Sequence, residues 1–222
     1  VALAEVFHEL AKASQPRILV VGDTIVDQYV ACDPVGMSNE APVVVVKELE
    51  TQDYVGGAGI VSAHVAALGG RCTLLSVTGA DDPAEFVASS LTDFGVDAQL
   101  VEDSSRPTTF KIRYLVENQK LFRVSRLKEH SISARVEDQL VEKIVDMAPN
   151  LDGILVSDFV YGVITPRVID TLLTVSREHN LLLFGDLQCS SQVGNITRLQ
   201  HFYLICPTER EARIALSNHD DG

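Results

Sequence analysis

Four aspartates stand where strands should stop, and seven cations crowd one stretch of an otherwise acidic chain. Asp23 and Asp27 follow the apolar run Arg17–Gly22, Asp158 follows residues 153–156, and Asp186 follows residues 181–184. Carboxylates accept hydrogen bonds from hydroxyl groups, and open α/β sheets bind ligands at the carboxyl ends of their strands. For Asp23 and Asp27 the alternative is an Asx-turn and a surface acid, and for Asp27 the site reading is the stronger. The cations are Arg106, Lys111, Arg113, Lys120, Arg123, Arg126 and Lys128, with one acid, Glu117, among them. In a chain of net charge -13 that cluster suits an anionic ligand, and equally a solvated hairpin face balancing acids elsewhere. A third feature is Val55-Gly56-Gly57-Ala58-Gly59, leading into an apolar run. Glycines there let the backbone approach a ligand and aim free N–H groups at it, or they serve only a tight turn needing positive φ.

The elements that would position these residues alternate. Arg17–Gly22 is β-branched and apolar, as in a buried central strand. Residues 28–31 and 43–49 read as strands around a turn-rich loop, 33–42. The helix after Gly59 is apolar on nearly all sides, which predicts burial, with His64 as a buried, hydrogen-bonded core residue and Gly69-Gly70 as the stop. Residues 72–77 read as a strand. Asp81-Asp82-Pro83 opens a helix ending near Gly95, with an acid at the cap and proline in the first turn. After a short strand at 97–101, residues 108–116 and 119–125 form a hairpin around Glu117-Asn118, with Asn118 suited to the left-handed region. On its first arm Lys111 and Arg113 share one face, and Phe110, Ile112 and Tyr114 the other. Ser133 caps a helix to Met147, Thr165-Pro166 opens one reaching about His179, residues 203–205 form a strand, and Thr208 opens the last helix. Repeated strand–helix alternation predicts a parallel sheet covered by helices, with a small antiparallel lid from residues 28–49 and 97–125.

Composition narrows the function. The chain has 222 residues, 46% hydrophobic and 22% charged, as in an ordinary globular protein. No apolar run approaches the roughly 20 residues of a membrane span. Residues 1–13 read as a short amphipathic helix rather than a signal peptide. The negative charge argues against nucleic-acid and anionic-membrane partners. Cys32, Cys72, Cys189 and Cys206 are widely spaced and read as reduced, mostly buried thiols of a cytoplasmic protein, and the histidines show no metal spacing. A nicotinamide-dependent oxidoreductase fits poorly, because the glycine-rich turn does not directly follow the first strand.

Several motifs together resemble the ribokinase-like (PfkB) carbohydrate kinases. They are Gly22-Asp23-Thr24-Ile25-Val26-Asp27, Gly56-Gly57-Ala58-Gly59, and Cys206-Pro207-Thr208-Glu209-Arg210-Glu211. Ser38-Asn39-Glu40-Ala41-Pro42-Val43, Arg106-Pro107-Thr108-Thr109-Phe110-Lys111-Ile112-Arg113, Asn118-Gln119-Lys120-Leu121-Phe122-Arg123-Val124 and residues 155–166 are most similar to the D-glycero-D-manno-heptose 7-phosphate kinase branch. The resemblance covers about residues 17–216. It implies a three-layer α/β/α sandwich with a β lid, homodimerisation through that lid, and transfer of the ATP γ-phosphate to a hydroxyl of a sugar or sugar phosphate, with magnesium. It also implies roles. Asp23 and Asp27 hold sugar hydroxyls; Gly56 and Gly57 bring backbone amides to the sugar; Lys111, Arg113 and Arg123 hold a phosphate already on it. Asp158 lines the path between sugar and nucleotide, while Asp186, Thr208 and Glu211 belong to the phosphate and magnesium region without direct metal ligation.

The chain departs from the pattern in four places. Thr208 replaces the asparagine of Asn-x-x-Glu, and Ser/Thr-x-x-Glu is also a capping box. Ile60 replaces an asparagine at the head of the glycine-rich helix. Gln188 stands where the heptose branch has lysine. The Gly-Ala-Gly-Asp-like motif that carries the catalytic base is absent from residues 1–222, so no catalytic residue is assigned. The expectation is one kinase domain that is incomplete at its C-terminus, with a non-catalytic sugar-phosphate-binding relative as the alternative.

Overall fold

Leu19, Val20 and Val21 are all fully buried, which requires cover on both faces of the strand that carries them. The computed structural model of the chain, described for residues 14–117, 119–188 and 196–216, supplies that cover from two helical layers. In order the elements are β1 (Arg17–Gly22), β2 (Thr24–Met37), β3 (Val44–Gly57), α1 (Ala58–Ala67), β4 (Arg71–Thr78), α2 (Asp82–Asp93), β5 (Asp97–Glu102) and β6 (Thr109–Val116). There follow β7 (Gln119–Arg126), α3 (Ala134–Met147), β8 (Gly153–Asp158), α4 (Pro166–His179), β9 (Leu182–Leu187), β10 (Leu204–Ile205) and α5 (Glu209–Ala215). The main sheet is parallel, in the order β10-β9-β8-β1-β4-β5.

Period-two alternation splits the core. Leu19 and Val21 pack with Ile154 and Val156 against Val136, Leu140 and Ile144 of α3 and Val168, Leu172 and Val175 of α4. Val20 and Leu74 point the other way, onto Ala58 of α1 and Val87 and Leu91 of α2. Three of these helices begin on side-chain caps that the sequence announces: Asp81 accepts from Ala84 N–H, Ser133 from Val136 N–H, and Thr165 from Val168 N–H. The layers are thus the expected α/β/α sandwich, with a second sheet ordered β3-β2-β6-β7.

The second sheet departs from expectation. The strands expected at 28–31 and 43–49 extend to 14 residues each, and the turn-rich loop contracts to residues 38–43, closed by Ser38 N–H to the Val43 carbonyl at 2.9 Å. Pro34 and Gly36 do not end β2 because the register with β3 shifts between them, a bulge that absorbs the missing N–H. The lid is mixed rather than antiparallel: β2 pairs β6 in parallel. Residues 97–102 leave the lid, since β5 lies parallel to β4 at the edge of the main sheet.

Helix α1 is buried on one side only, through Ala58, Gly59, Ser62 and Ala63. His64, expected in the core, is exposed, because that side of α1 meets solvent. Glu117 takes the positive φ of the hairpin turn, at 53°. Asn118, the helix expected at residues 1–13, Cys189 and residues 217–222 lie outside the described residues. Cys32 and Cys72 are buried free thiols, and Cys206 is exposed. Among the described residues no helix is long and apolar enough to cross a membrane.

Candidate functional site

The lid grows straight out of the main sheet. A single residue, Asp23, separates β1 from β2, and β3 runs directly into α1, so Asp27 on β2, Gly56-Gly57 on β3 and Lys111 on β6 meet at the carboxyl edge of β1. Across the lid, Asp27 is in register with Lys111 and Tyr29 with Arg113. Residues two apart on a strand share a face, so Ile25, Asp27 and Tyr29 line one wall, with Lys111 and Arg113 beside them. Tyr54, Val55, Gly56, Gly57, Ile60 and Phe159 complete a cavity of about 560 Å³.

Its charges are unequally satisfied. Arg113 forms an ion pair with Asp27, the two side chains being 18% and 20% exposed, and its guanidinium lies 5.2 Å from the Tyr29 ring centre. Lys111 is 3% exposed, and no acid pairs with it among the described residues. Its ammonium sits 5.0 Å from the Tyr161 ring centre and 5.3 Å from that of Phe159. Cation–π contacts contribute about 2 kcal/mol when desolvated, less than a paired ion would supply. A buried ammonium without a carboxylate is costly, and an anion entering the cavity would relieve that cost. Arg123 stands opposite Arg113 in the β6–β7 register, but it is exposed and does not line the cavity.

Both glycines allow a close approach that a Cβ would obstruct. A Cβ on Gly56 would lie 2.5 Å from Asp27 Oδ2, so the carboxylate packs against bare backbone. Gly57 has φ +58°, and a Cβ there would meet the Asp23 carbonyl oxygen at 2.2 Å. That carbonyl accepts the Ala58 N–H at 2.9 Å, closing the entry to α1.

The other strand-end acids reach the same edge but face elsewhere. Asp23, 2% exposed, accepts N–H groups of Phe159 at 2.8 Å and of Tyr161 and Val163 at 3.3 Å, and so grips the loop after β8. Burial, then the Asp158 charge, push its carboxyl up to about 6, against the pull of those three amides. Asp158, also buried, accepts Val160 N–H at 2.8 Å and pairs with Arg198 at 3.1 Å; burial raises it and Arg198 opposes the rise. Asp186 accepts from Gln188 Nε2 at 3.0 Å. Glu211 and Thr208 close the capping box of α5 on each other's backbone amides. The structure therefore brings Asp27, Gly56, Gly57, Lys111 and Arg113 together, and places Asp23, Arg123, Asp158, Asp186, Thr208 and Glu211 outside that cavity's lining.

A folded-state carboxyl raised from 3.8 to about 6 binds its proton more tightly than the unfolded chain does, so stability falls as pH rises from about 4 to 6. The displacement corresponds to about 3 kcal/mol. Relative to the Asp23→Asn variant, the native chain should lose about that much over this window in urea unfolding series. Parallel pH curves for the two proteins would refute this role for Asp23.

Sequence reasoning missed the aromatic walls Tyr29, Tyr54, Phe159 and Tyr161. Tyr29 was reachable, since it lies two residues from Asp27 on one strand face; Phe159 and Tyr161 meet Lys111 only through tertiary packing. Arg106, counted with the cations, is buried and structural: it donates to the Tyr161 carbonyl at 2.9 Å and the His130 carbonyl at 2.6 Å, and pairs with Asp103 at 3.3 Å. It thus holds from the carbonyl side the same loop that Asp23 holds from the amide side.

Known proteins agree with this architecture. A family model described as "pfkB family carbohydrate kinase" matches residues 15–221. The bifunctional protein HldE of Geobacter metallireducens is 31% identical over 206 residues, covering 92% of this chain and 41% of the relative. HldE of Bradyrhizobium diazoefficiens is 34% identical over 176 residues, covering 78% and 36%. The chain spans about two fifths of the length of these curated relatives. Among solved structures, phosphofructokinase-2 from Escherichia coli in complex with fructose-6-phosphate superposes with TM-score 0.71 at 15% identity, over 93% of this chain and 66% of that one. Ribokinase of Arabidopsis thaliana complexed with ribose and ATP gives 0.62 at 17% identity, over 89% and 62%. At these identities the two structures speak to the fold.

Proposed function

We propose, from the premise that this chain belongs to the pfkB family of carbohydrate kinases, that its cavity binds a phosphorylated sugar of the heptose 7-phosphate type as acceptor for the ATP γ-phosphate. One observation carries this reading: a buried lysine with aromatic walls and, among the described residues, no acid partner opens into the same cavity as Asp27 and the glycine backbone of β3. Lys111 and Arg113 hold the phosphate ester, with Arg123 near the rim. Asp27 takes sugar hydroxyls, and Gly56 and Gly57 admit the sugar close to the backbone. Asp23 acts one step back, fixing the loop that carries Phe159 and Tyr161. Residues 1–222 then belong to a single kinase domain, working in the cytoplasm.

ATP and magnesium come with the family reading. Among the described residues no group of three or more Asp, Glu, His or Cys side chains is placed to hold a metal, and Glu211 is engaged in its helix cap. These residues alone do not make a magnesium site, and Asp158, Asp186 and Glu211 are assigned only to the surroundings of the transferred phosphate. Ile60 in the cavity wall and the Gln188–Asp186 bond favour a second reading, a sugar-phosphate-binding relative without turnover.

Calorimetry of the full-length protein with heptose 7-phosphate, fructose 6-phosphate and their parent sugars tests the binding; a coupled assay of ATP consumption separates the two readings. Binding of at least one phosphate ester is expected. Absence of binding for every phosphate ester would reject both readings.

The outer lid carries exposed apolar side chains, including Met37 at 61%, Val44 at 63%, Leu49 at 56% and Phe122 at 52%. Such a patch marks an interface, and a lid-to-lid homodimer covers it. Val44→Glu should shift sedimentation from dimer to monomer at micromolar concentration; a native protein that sediments as a monomer would refute the dimer.

A further inference from the structure

We infer that the Asp27–Arg113 ion pair masks the cavity against unphosphorylated sugars, so that the phosphate ester itself unlocks the hydroxyl-binding carboxylate. The inference rests on the reading of this cavity as a sugar-phosphate site. Both partners line it, each about four-fifths buried, where an ion pair is stronger than on an open surface. Each has a packing neighbour on its far side. Asp27 Oδ2 packs against the bare backbone of Gly56, and the Arg113 guanidinium is stacked over Tyr29.

Two residues earlier on the same strand face, Lys111 has no acid partner among the described residues. A phosphate ester entering here brings two negative charges to two cations. Arg113 exchanges its carboxylate for the phosphate, and Asp27 is freed to accept hydroxyl hydrogens from the sugar. A neutral sugar offers Arg113 nothing in return. It meets an Asp27 whose Oδ1 is taken by Arg113 and whose Oδ2 is packed against Gly56, or it must open the pair and leave a partly buried cation uncompensated. Inorganic phosphate suffers the converse loss, since it strips Asp27 of its partner without bringing sugar hydroxyls to it. Apparent affinity falls in proportion to the fraction of molecules with the pair open. Sugar and phosphate therefore bind better joined than either binds alone.

The test is isothermal titration of the full-length protein and its Arg113→Met variant with D-glycero-D-manno-heptose, its 7-phosphate, fructose and fructose 6-phosphate. Methionine keeps an apolar stem over Tyr29 and removes the charge. The parent sugars should bind Arg113→Met about tenfold more tightly than the native protein, while the phosphate esters bind about tenfold more weakly. Parent sugars binding the variant no better, with the native protein still binding an ester, would overturn the masking alone. If no ester binds the native protein, the cavity reading fails and the masking with it. Asp27→Asn gives an independent arm should Arg113→Met not fold. Releasing Arg113 should raise the affinity for inorganic phosphate about tenfold, and no rise would also overturn the inference.

Discussion

Lys111→Met is expected to weaken sugar-phosphate binding about a hundredfold while leaving the fold at least as stable. The two effects diverge because the ammonium is costly in the empty protein and valuable with an anion present. It is buried, lies over the Phe159 and Tyr161 rings, and has no acid partner among the described residues. Methionine fills similar space, keeps contact with Phe159 and Tyr161, and removes the desolvation cost. A hydrogen bond to a charged group contributes roughly 1.5–3 kcal/mol, and its upper range corresponds to about a hundredfold in affinity. Arg123→Met, by contrast, removes an exposed, solvent-screened cation and should change affinity by less than about threefold. Calorimetry paired with urea unfolding checks both. Unchanged affinity in Lys111→Met, or a loss explained by unfolding, would contradict the assignment.

Gly57→Ala should cost about 3–5 kcal/mol of stability, enough to unfold many domains whose total is about 5–15 kcal/mol. Two penalties combine. The residue holds φ +58°, where a side chain is strained, and its Cβ would lie 2.2 Å from the Asp23 carbonyl oxygen, part of the backbone joining β1 to β2. Gly56→Ala is the informative contrast. Its clash is with the Asp27 carboxylate, a side chain that can move, so the protein should fold but lose its arrangement around Arg113. We expect Gly56→Ala to retain most of its stability and lose sugar-phosphate affinity at least tenfold. Urea midpoints for the pair test this; equal destabilisation by both substitutions would contradict it.

Much of the main body could be read from the chain. Leu19-Val20-Val21 announces a strand covered on both faces, and Asp81, Ser133 and Thr165 mark helix starts by a local bond that each side chain makes to the backbone. The lid was less legible. Pro34 and Gly36 read as a turn, and only the partner strand β3 supplies the bulge that lets them stay in β2. Asp23 and Asp27 are both hydroxyl-binding candidates in sequence, four residues apart after one strand. Asp23 sits at the junction where the chain leaves the sheet and meets the amides of residues 159–163, some 140 positions away, whereas Asp27 is far enough along β2 to face Arg113. Arg106 looked like one more cation of a basic hairpin, yet its partners Tyr161 and His130 are distant in sequence and turn it into a brace. Residues that neighbouring strands bring to the cavity were legible in the sequence; those that distant loops bring there were not.

The most direct measurement is a crystal structure of the full-length protein with heptose 7-phosphate or fructose 6-phosphate bound. The account predicts the phosphate within hydrogen-bonding distance of Lys111 Nζ and the Arg113 guanidinium, with a sugar hydroxyl on Asp27 in place of the arginine. A sugar phosphate seated elsewhere, with Lys111 still facing only Phe159 and Tyr161 and Asp27 still paired with Arg113, would contradict it.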